Sequence, residues 1–333
     1  MDSLTQIVLG AAVGEAALGK KVGNKAMLYG AIAGTIPDLD ILATPFTDPL
    51  TAIEIHRGFT HSILFSILFA PLFGYLVSKL ERKGPATFKE WSWLFFLALI
   101  THPMLDALTT WGTKLFWPNQ YPVAVESIFV IDPLYTVPFL ICVIIAMFYK
   151  RDDKKRRYIN YFGLGISTFY LVLTFGVKCY ATQQVTAALN EQKIGYSALK
   201  VKPSPLNTIL WTTNVMADDV VYLGDYSLFD SQPITFHAIP TNHHLLGDLI
   251  NDKDVKRLIT ITENWYVITS DNGKLYLNDL RFGTLNYDYA NPQFSFSYEL
   301  VEQDGKITIV ENRKTPREAG QILNYLWTRI RGN

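Results

Sequence analysis

The chain has 333 residues, and its 30 lysines and arginines balance 30 aspartates and glutamates, giving a formal net charge of zero. Hydrophobic residues make up 49% of it and charged residues only 18%, below the ~25% usual in soluble domains. This excludes a disordered chain, which needs high charge and low hydrophobicity, and it excludes a nucleic-acid binder, which needs a clustered basic face and a pI well above 7.0. A mean hydropathy of +0.13 points instead to a membrane protein with a soluble part attached. Two cysteines cannot build a disulfide scaffold, and Cys142 and Cys179 lie within or beside apolar runs, where they read as fillers.

In chain order, the first apolar segment is 4–18, short, rich in Gly and Ala, and containing Glu15. The second, 26–37, is followed at once by Asp38 and Asp40. Both carry glycines at i and i+4, namely Gly10 with Gly14 and Gly30 with Gly34, the spacing that lets membrane helices approach closely. Residues 62–78, 133–149 and 158–177 carry no charge, and 92–105 is interrupted only by His102. Each of these four is near the ~20 residues that cross the hydrocarbon layer, and none shows a polar stripe of helical period. The N-terminus lacks a basic stretch before its apolar run, so a cleaved signal peptide is not expected. The reading is a helical bundle of about six membrane segments, the first short enough to be re-entrant.

Lys and Arg set the orientation. Lys20, Lys21 and Lys25 lie between segments one and two, Lys79, Arg82, Lys83 and Lys89 between three and four, and six basic residues from Lys150 to Arg157 between five and six. The other loops hold only Arg57 and Lys114. The expectation is a multi-pass membrane protein with both its N-terminus and its C-terminal part outside the cytoplasm. Residues 1–180 form the membrane domain, and 181–333 a strand-rich α+β extracytoplasmic domain. Hairpins are predicted around Asp271-Asn272-Gly273 and Asp304-Gly305, and amphipathic helices over 182–192 and 317–330.

Ionisable residues at membrane depth are expensive and mark function. Asp38 and Asp40 close the second segment, His56, Arg57 and His61 precede the third, His102 and Asp106 lie in the fourth, and Glu126 and Asp132 precede the fifth. The topology, read from Lys and Arg alone, puts all of them in one outer layer. His102 and Asp106, at i and i+4, share a helix face and can chelate one ion, although Pro103 sits between them. His56 and His61 fall about 140° apart on an ideal helix, so Gly58 must provide a bend if both point inward. Three imidazoles with three carboxylates suit zinc, manganese or iron, and there are donors enough for one or two ions. The metal candidates are therefore Asp38, Asp40, His56, His61, His102 and Asp106. Arg57 is the candidate anion-binding group and Glu126 the candidate general base. His237, His243 and His244 lie in the polar outer part and are set aside as loop histidines.

At these residues the sequence resembles a known family. Met1-Asp2-Ser3-Leu4-Thr5, Pro37-Asp38-Leu39-Asp40, His56-Arg57-Gly58-Phe59-Thr60-His61-Ser62, His102-x-x-x-Asp106 and Asp132-Pro133-Leu134-Tyr135 look like the YdjM-like family of membrane-bound metal-dependent hydrolases. The resemblance covers about residues 1–180 and implies inner-membrane helices carrying a hydrolase-like metal site. Its His-x-x-x-Asp element is distantly similar to that of zinc-dependent phospholipase C and related nucleases. Gln6 stands where members of the family often have His, so a further ligand is missing here.

The expected function is thus hydrolysis at the extracytoplasmic membrane face of a phosphodiester or phospholipid-like substrate, with the lipid environment as partner and no nucleic acid. Two alternatives are a non-enzymatic scaffold with a structural metal site, and a small-solute or metal transporter. Transport predicts ionisable groups along a whole path, whereas these lie in one layer.

Overall fold

The computed structural model describes residues 1–285, 289–303, 306–312 and 319–333. They divide into two compact units, one of Met1–Pro45, Ile55–Gly176 and Pro205–Asn207, the other of Phe46–Glu54, Val177–Ser204 and Thr208–Asn333.

The first unit is helical. Helix α1 (Ser3–Val22) starts where the Asp2 carboxylate accepts the Thr5 N–H at 3.0 Å. Gly23, with φ +63°, reverses the chain into α2 (Asn24–Thr35). A 3-10 segment, Pro37–Phe46, follows, and then α3 (Pro49–Ile55), of which only Ile55 lies in this unit. Ser62 caps α4 (Ile63–Leu80), a Thr87–Glu90 capping box starts α5 (Phe88–Asp106), and Asp132 caps α6 (Pro133–Met147). The last helix, α7 (Lys154–Glu191), is continuous over 38 residues, so 182–192 forms no separate helix.

Two apolar clusters hold the first unit together. Trp91, Leu94, Phe95 and Leu99 of α5 pack with Phe65, Ala70 and Val77 of α4 and with Val13, Ala26 and Ala33. Val8 and Ala12 of α1 pack with Met27, Leu105, Tyr135, Phe139 and Val143. Between α1 and α2 the glycine pattern does what its spacing predicts. A Cβ on Gly10 would run into the carbonyl of Gly30, and one on Gly34 into the backbone of Gln6. Glu15, the acid within the first segment, is buried against Arg156, with Oε1 2.6 Å from Nε and Oε2 2.5 Å from Nη2.

All six expected segments are helical, but three stretches are long and apolar enough to cross a membrane: Asn24–Phe46, Ile63–Leu80 and Lys154–Glu191. Pro133–Met147 is apolar but shorter. Lys89, Glu90 and Asp106 in α5 and Glu15, Lys20 and Lys21 in α1 keep those two helices from the same class. Among the described residues, length and composition alone thus support three spans, and the expected count of about six is not confirmed.

The second unit contains two four-stranded antiparallel sheets, each in sequential order. The first is β1 (Ala198–Pro203), β2 (Leu210–Met216), β3 (Val220–Ser227) and β4 (His237–Pro240). Helix α8 (Lys253–Ile261) precedes the second, β5 (Tyr266–Asp271), β6 (Lys274–Thr284), β7 (Phe294–Gln303) and β8 (Lys306–Glu311). Asn272 and Gly273, both at positive φ, close the β5–β6 hairpin with Asp271 opposite Lys274. Strands β7 and β8 pair as expected, while the turn residues 304–305 lie outside the described residues. The C-terminal helix is α9 (Ala319–Ile330), and residues 317–318 of its expected span also lie outside them.

Asp225 of β3 ties this unit together. Its Oδ2 accepts the Tyr289 hydroxyl at 2.8 Å and the Tyr325 hydroxyl of α9 at 2.9 Å. Burial pushes its carboxyl above the usual range.

Two predictions follow from these packings. Gly30→Val should destabilise the protein by about 1–3 kcal/mol and lower its melting midpoint in detergent, because backbone occupies the space a side chain needs. Gly165→Ala, with nothing within 4 Å of the new methyl, should not lower it. A raised carboxyl takes up a proton on folding, so the stability it contributes is present below its ordinary value and is lost as pH rises through the folded one. Asp225→Asn should therefore raise the melting midpoint relative to the unaltered chain at pH 8 and narrow that difference at pH 4; an equal shift at both would contradict this.

Candidate metal centre

Four side chains from three elements of the first unit converge. Pro37 follows the end of α2, and the 3-10 segment that begins there presents Asp38. The chain then returns through a reversal at Arg57, whose φ of +56° is rare for a branched-off side chain, followed by Gly58. This is the bend that the His56–His61 spacing requires. Asp40 fastens it, its Oδ2 accepting the Arg57 N–H at 2.9 Å and the Thr60 hydroxyl at 3.2 Å. The reversal leaves His61 in a single 3-10 turn directly before the Ser62 cap of α4. His102 and Asp106 come from the last turn of α5, which continues through Pro103.

The donor atoms face one another. His61 Nε2 lies 3.1 Å from His102 Nε2, 3.2 Å from Asp38 Oδ1 and 3.6 Å from Asp106 Oδ2. His102 Nε2 lies 3.4 Å from Asp38 Oδ1 and 3.7 Å from Asp106 Oδ2. A tetrahedral ion with ligands at ~2.0–2.1 Å has donor-to-donor edges of roughly 3.3–3.4 Å, so these five edges bracket the ideal. Among the described residues, Asp38, His61, His102 and Asp106 form the group that can hold a metal ion.

The surroundings fix which nitrogen is free. His102 Nδ1 donates to the Gly34 carbonyl at 2.6 Å, so its Nε2 carries the lone pair. Gly34 can stand there because the α1–α2 glycines let the two backbones close up. His61 Nδ1 lies 3.1 Å from the Thr60 hydroxyl and 3.4 Å from Asp40 Oδ2, so its Nε2 is also turned to the cluster. Two imidazole nitrogens 3.1 Å apart need a proton or a metal cation between them. Asp106 Oδ2 is buried and accepts no hydrogen bond, an orphan that a metal ligand would explain. Both observations fit a divalent ion held by these residues.

The other candidates stand around this group. Asp40 and His56 pair with each other, Oδ1 to Nδ1, at 3.0 Å, and Asp40 Oδ2 is taken up by the reversal. Arg57 is buried, with Nε 3.2 Å from Asp106 Oδ2 and Nη1 donating to the Thr109 hydroxyl at 3.0 Å. Glu126 is buried in the loop after α5 with φ +54°, between Val125 and Ser127, whose N–H groups bond to the Ala107 and Leu108 carbonyls; it is not one of the four. Asp132 caps α6 and accepts the Tyr170 hydroxyl at 2.9 Å. His237 and His243 stack on Tyr289 and Tyr266 in the second unit.

Gln6 has a role that the sequence reading treated only as a missing ligand. It is buried, and its Nε2 donates to Asp106 Oδ1 at 2.9 Å and to the His102 carbonyl at 3.3 Å. The Met1 amine also donates to Asp106 Oδ1. With Oδ1 so occupied, Oδ2 is the oxygen turned to the two imidazoles. An amide one turn into a Gly/Ala-rich helix gave no signal of this; only its burial does.

The YdjM inner membrane protein family matches residues 1–185, the stretch that holds every residue of this group. The inner membrane protein YbcI of Escherichia coli (strain K12) is 33% identical over 102 residues, which cover 30% of this chain and 57% of that protein. The chain thus spans little more than half the length of that relative. No solved structure matches it. With more than half of its length matched, the chain belongs to the YdjM inner membrane protein family.

Proposed function

We propose that the protein is a membrane-bound metal-dependent hydrolase whose ion is held by Asp38, His61, His102 and Asp106. The observation that carries this reading is the set of five donor-to-donor distances between 3.1 and 3.7 Å, closed around two imidazole nitrogens whose other ring nitrogens are already bonded. Two nitrogens and two carboxylate oxygens at tetrahedral spacing favour zinc, with manganese and iron as lesser fits. In this reading six membrane segments put the group at the extracytoplasmic face, as the Lys and Arg distribution implies, with the C-terminal part outside.

When bound, such an ion supplies an acidified water and a Lewis acid for an ester or phosphoryl oxygen. The chain's own residues do the rest. Asp40 and the Gly34 carbonyl hold the two imidazoles in the ligating tautomer. Buried Arg57 keeps a positive charge beside Asp106, where it meets the anionic oxygens of a phosphodiester. Glu126 stands as the proton acceptor of this reading. A second reading, a scaffold with a structural ion, is favoured by one observation: four protein donors already complete a tetrahedral shell. Against it, the Asp38 side chain is 24% exposed while the other three are fully buried, so one edge of the group is open.

Elemental analysis of the detergent-purified protein should find about one zinc per chain, falling at least tenfold in His102→Ala and Asp106→Asn; equal metal in both variants would contradict the site. Asp40→Asn should weaken zinc affinity by about 10–100-fold without abolishing it. On phosphodiester and phospholipid substrates, activity should vanish with a chelator and return with zinc. Intact metal with no activity on any such substrate would favour the scaffold.

A further inference from the structure

The 3-10 segment that supplies Asp38 and Asp40 also carries large exposed apolar side chains. In a 3-10 helix residues three apart stand in one row, about 6 Å along the axis. The inward row holds Asp40, which is buried. The outward row holds Leu39 and Leu42, exposed by 50% and 65%. The row between them holds Asp38, the open edge of the ligand group, and one turn on, Ile41, exposed by 61%. Of the four donors, Asp38 is the one with an exposed side chain, and Leu39, Ile41 and Leu42 follow it on the same short segment.

Three large aliphatic side chains left bare would each forgo roughly 1.5–3 kcal/mol of burial, so this ledge has an occupant. The ledge is the end of Asn24–Phe46, one of the stretches apolar enough to cross a membrane, and the exposed Leu28 and Ile32 of α2 already mark that stretch's outer face. A bilayer that takes up this stretch would reach the ligand group along this face. We infer that Leu39, Ile41 and Leu42 form an acyl-chain subsite, which receives a membrane lipid sideways and delivers its anionic headgroup to the ion at Asp38. This deepens the metal reading above and rests on it.

The test uses the full chain in detergent, loaded with cobalt, whose visible bands report both the site and any anion entering it. Methyl phosphate and dodecyl phosphate are titrated against those bands. Dodecyl phosphate should bind at least about tenfold more tightly, since each buried methylene adds a fewfold. In Ile41→Ser with Leu42→Ser, and in the milder pair Ile41→Ala with Leu42→Ala, the ratio of the two dissociation constants should fall at least about fivefold. Cobalt bands matching the parent's show that the site in each variant is intact. A ratio unchanged in whichever pair retains those bands overturns the acyl subsite alone. No tetrahedral cobalt bands in the unaltered chain overturns the metal reading, and this inference with it.

Discussion

Buried charge is the constraint around which the first unit is built. Asp106 and the two imidazoles are removed from water inside a bundle of apolar helices, where an uncompensated carboxylate costs several kcal/mol. Every nearby feature reads as compensation. Arg57 is forced into a left-handed backbone conformation beside it, Gln6 and the Met1 amine take one oxygen of Asp106, and Asp40 clips the loop that brings His61 in. The arrangement left over is also informative. Asp106 Oδ2, which accepts no hydrogen bond, and the Nε2 atoms of His61 and His102 converge on one point.

The glycines of α1 and α2 belong to the same account. Their close approach is a packing feature of the apolar bundle, yet it is what places the Gly34 carbonyl within 2.6 Å of His102. Sequence → helix contact → carbonyl position → imidazole tautomer is one physical chain. A side chain at Gly30 would act on the metal group through it without touching a ligand. The Glu15–Arg156 pair makes the complementary point at another place in the bundle: an acid in an apolar helix is tolerated where an arginine reaches it in two hydrogen bonds.

Much of this was legible in the sequence. The i, i+4 spacing of His102 and Asp106 put them on one face, the apolar runs gave the helices, and Asn272-Gly273 gave a hairpin with its register. The bend demanded by His56 and His61 is there, built from Arg57 and Gly58. What spacing could not tell is how the donors divide. Asp38 and Asp40 are two residues apart and chemically alike, but the 3-10 backbone turns one toward the imidazoles and the other into the reversal at Arg57. Asp40 accepts the N–H of Arg57, 17 residues further along the chain, a pairing that spacing does not signal. The number of spans is not settled by the same pattern: hydropathy marks apolar helices, and α1, α5 and α6 are apolar helices that fall short in length or carry charge.

The most direct measurement is X-ray absorption at the zinc edge on the purified full-length protein. The account predicts a first shell of four light atoms at about 2.0–2.1 Å, with the outer-shell scattering of two imidazole rings, and loss of one ring's contribution in His61→Ala. A six-oxygen shell without imidazole scattering, or a spectrum unaltered in that variant, would contradict the claim that these residues close around one ion.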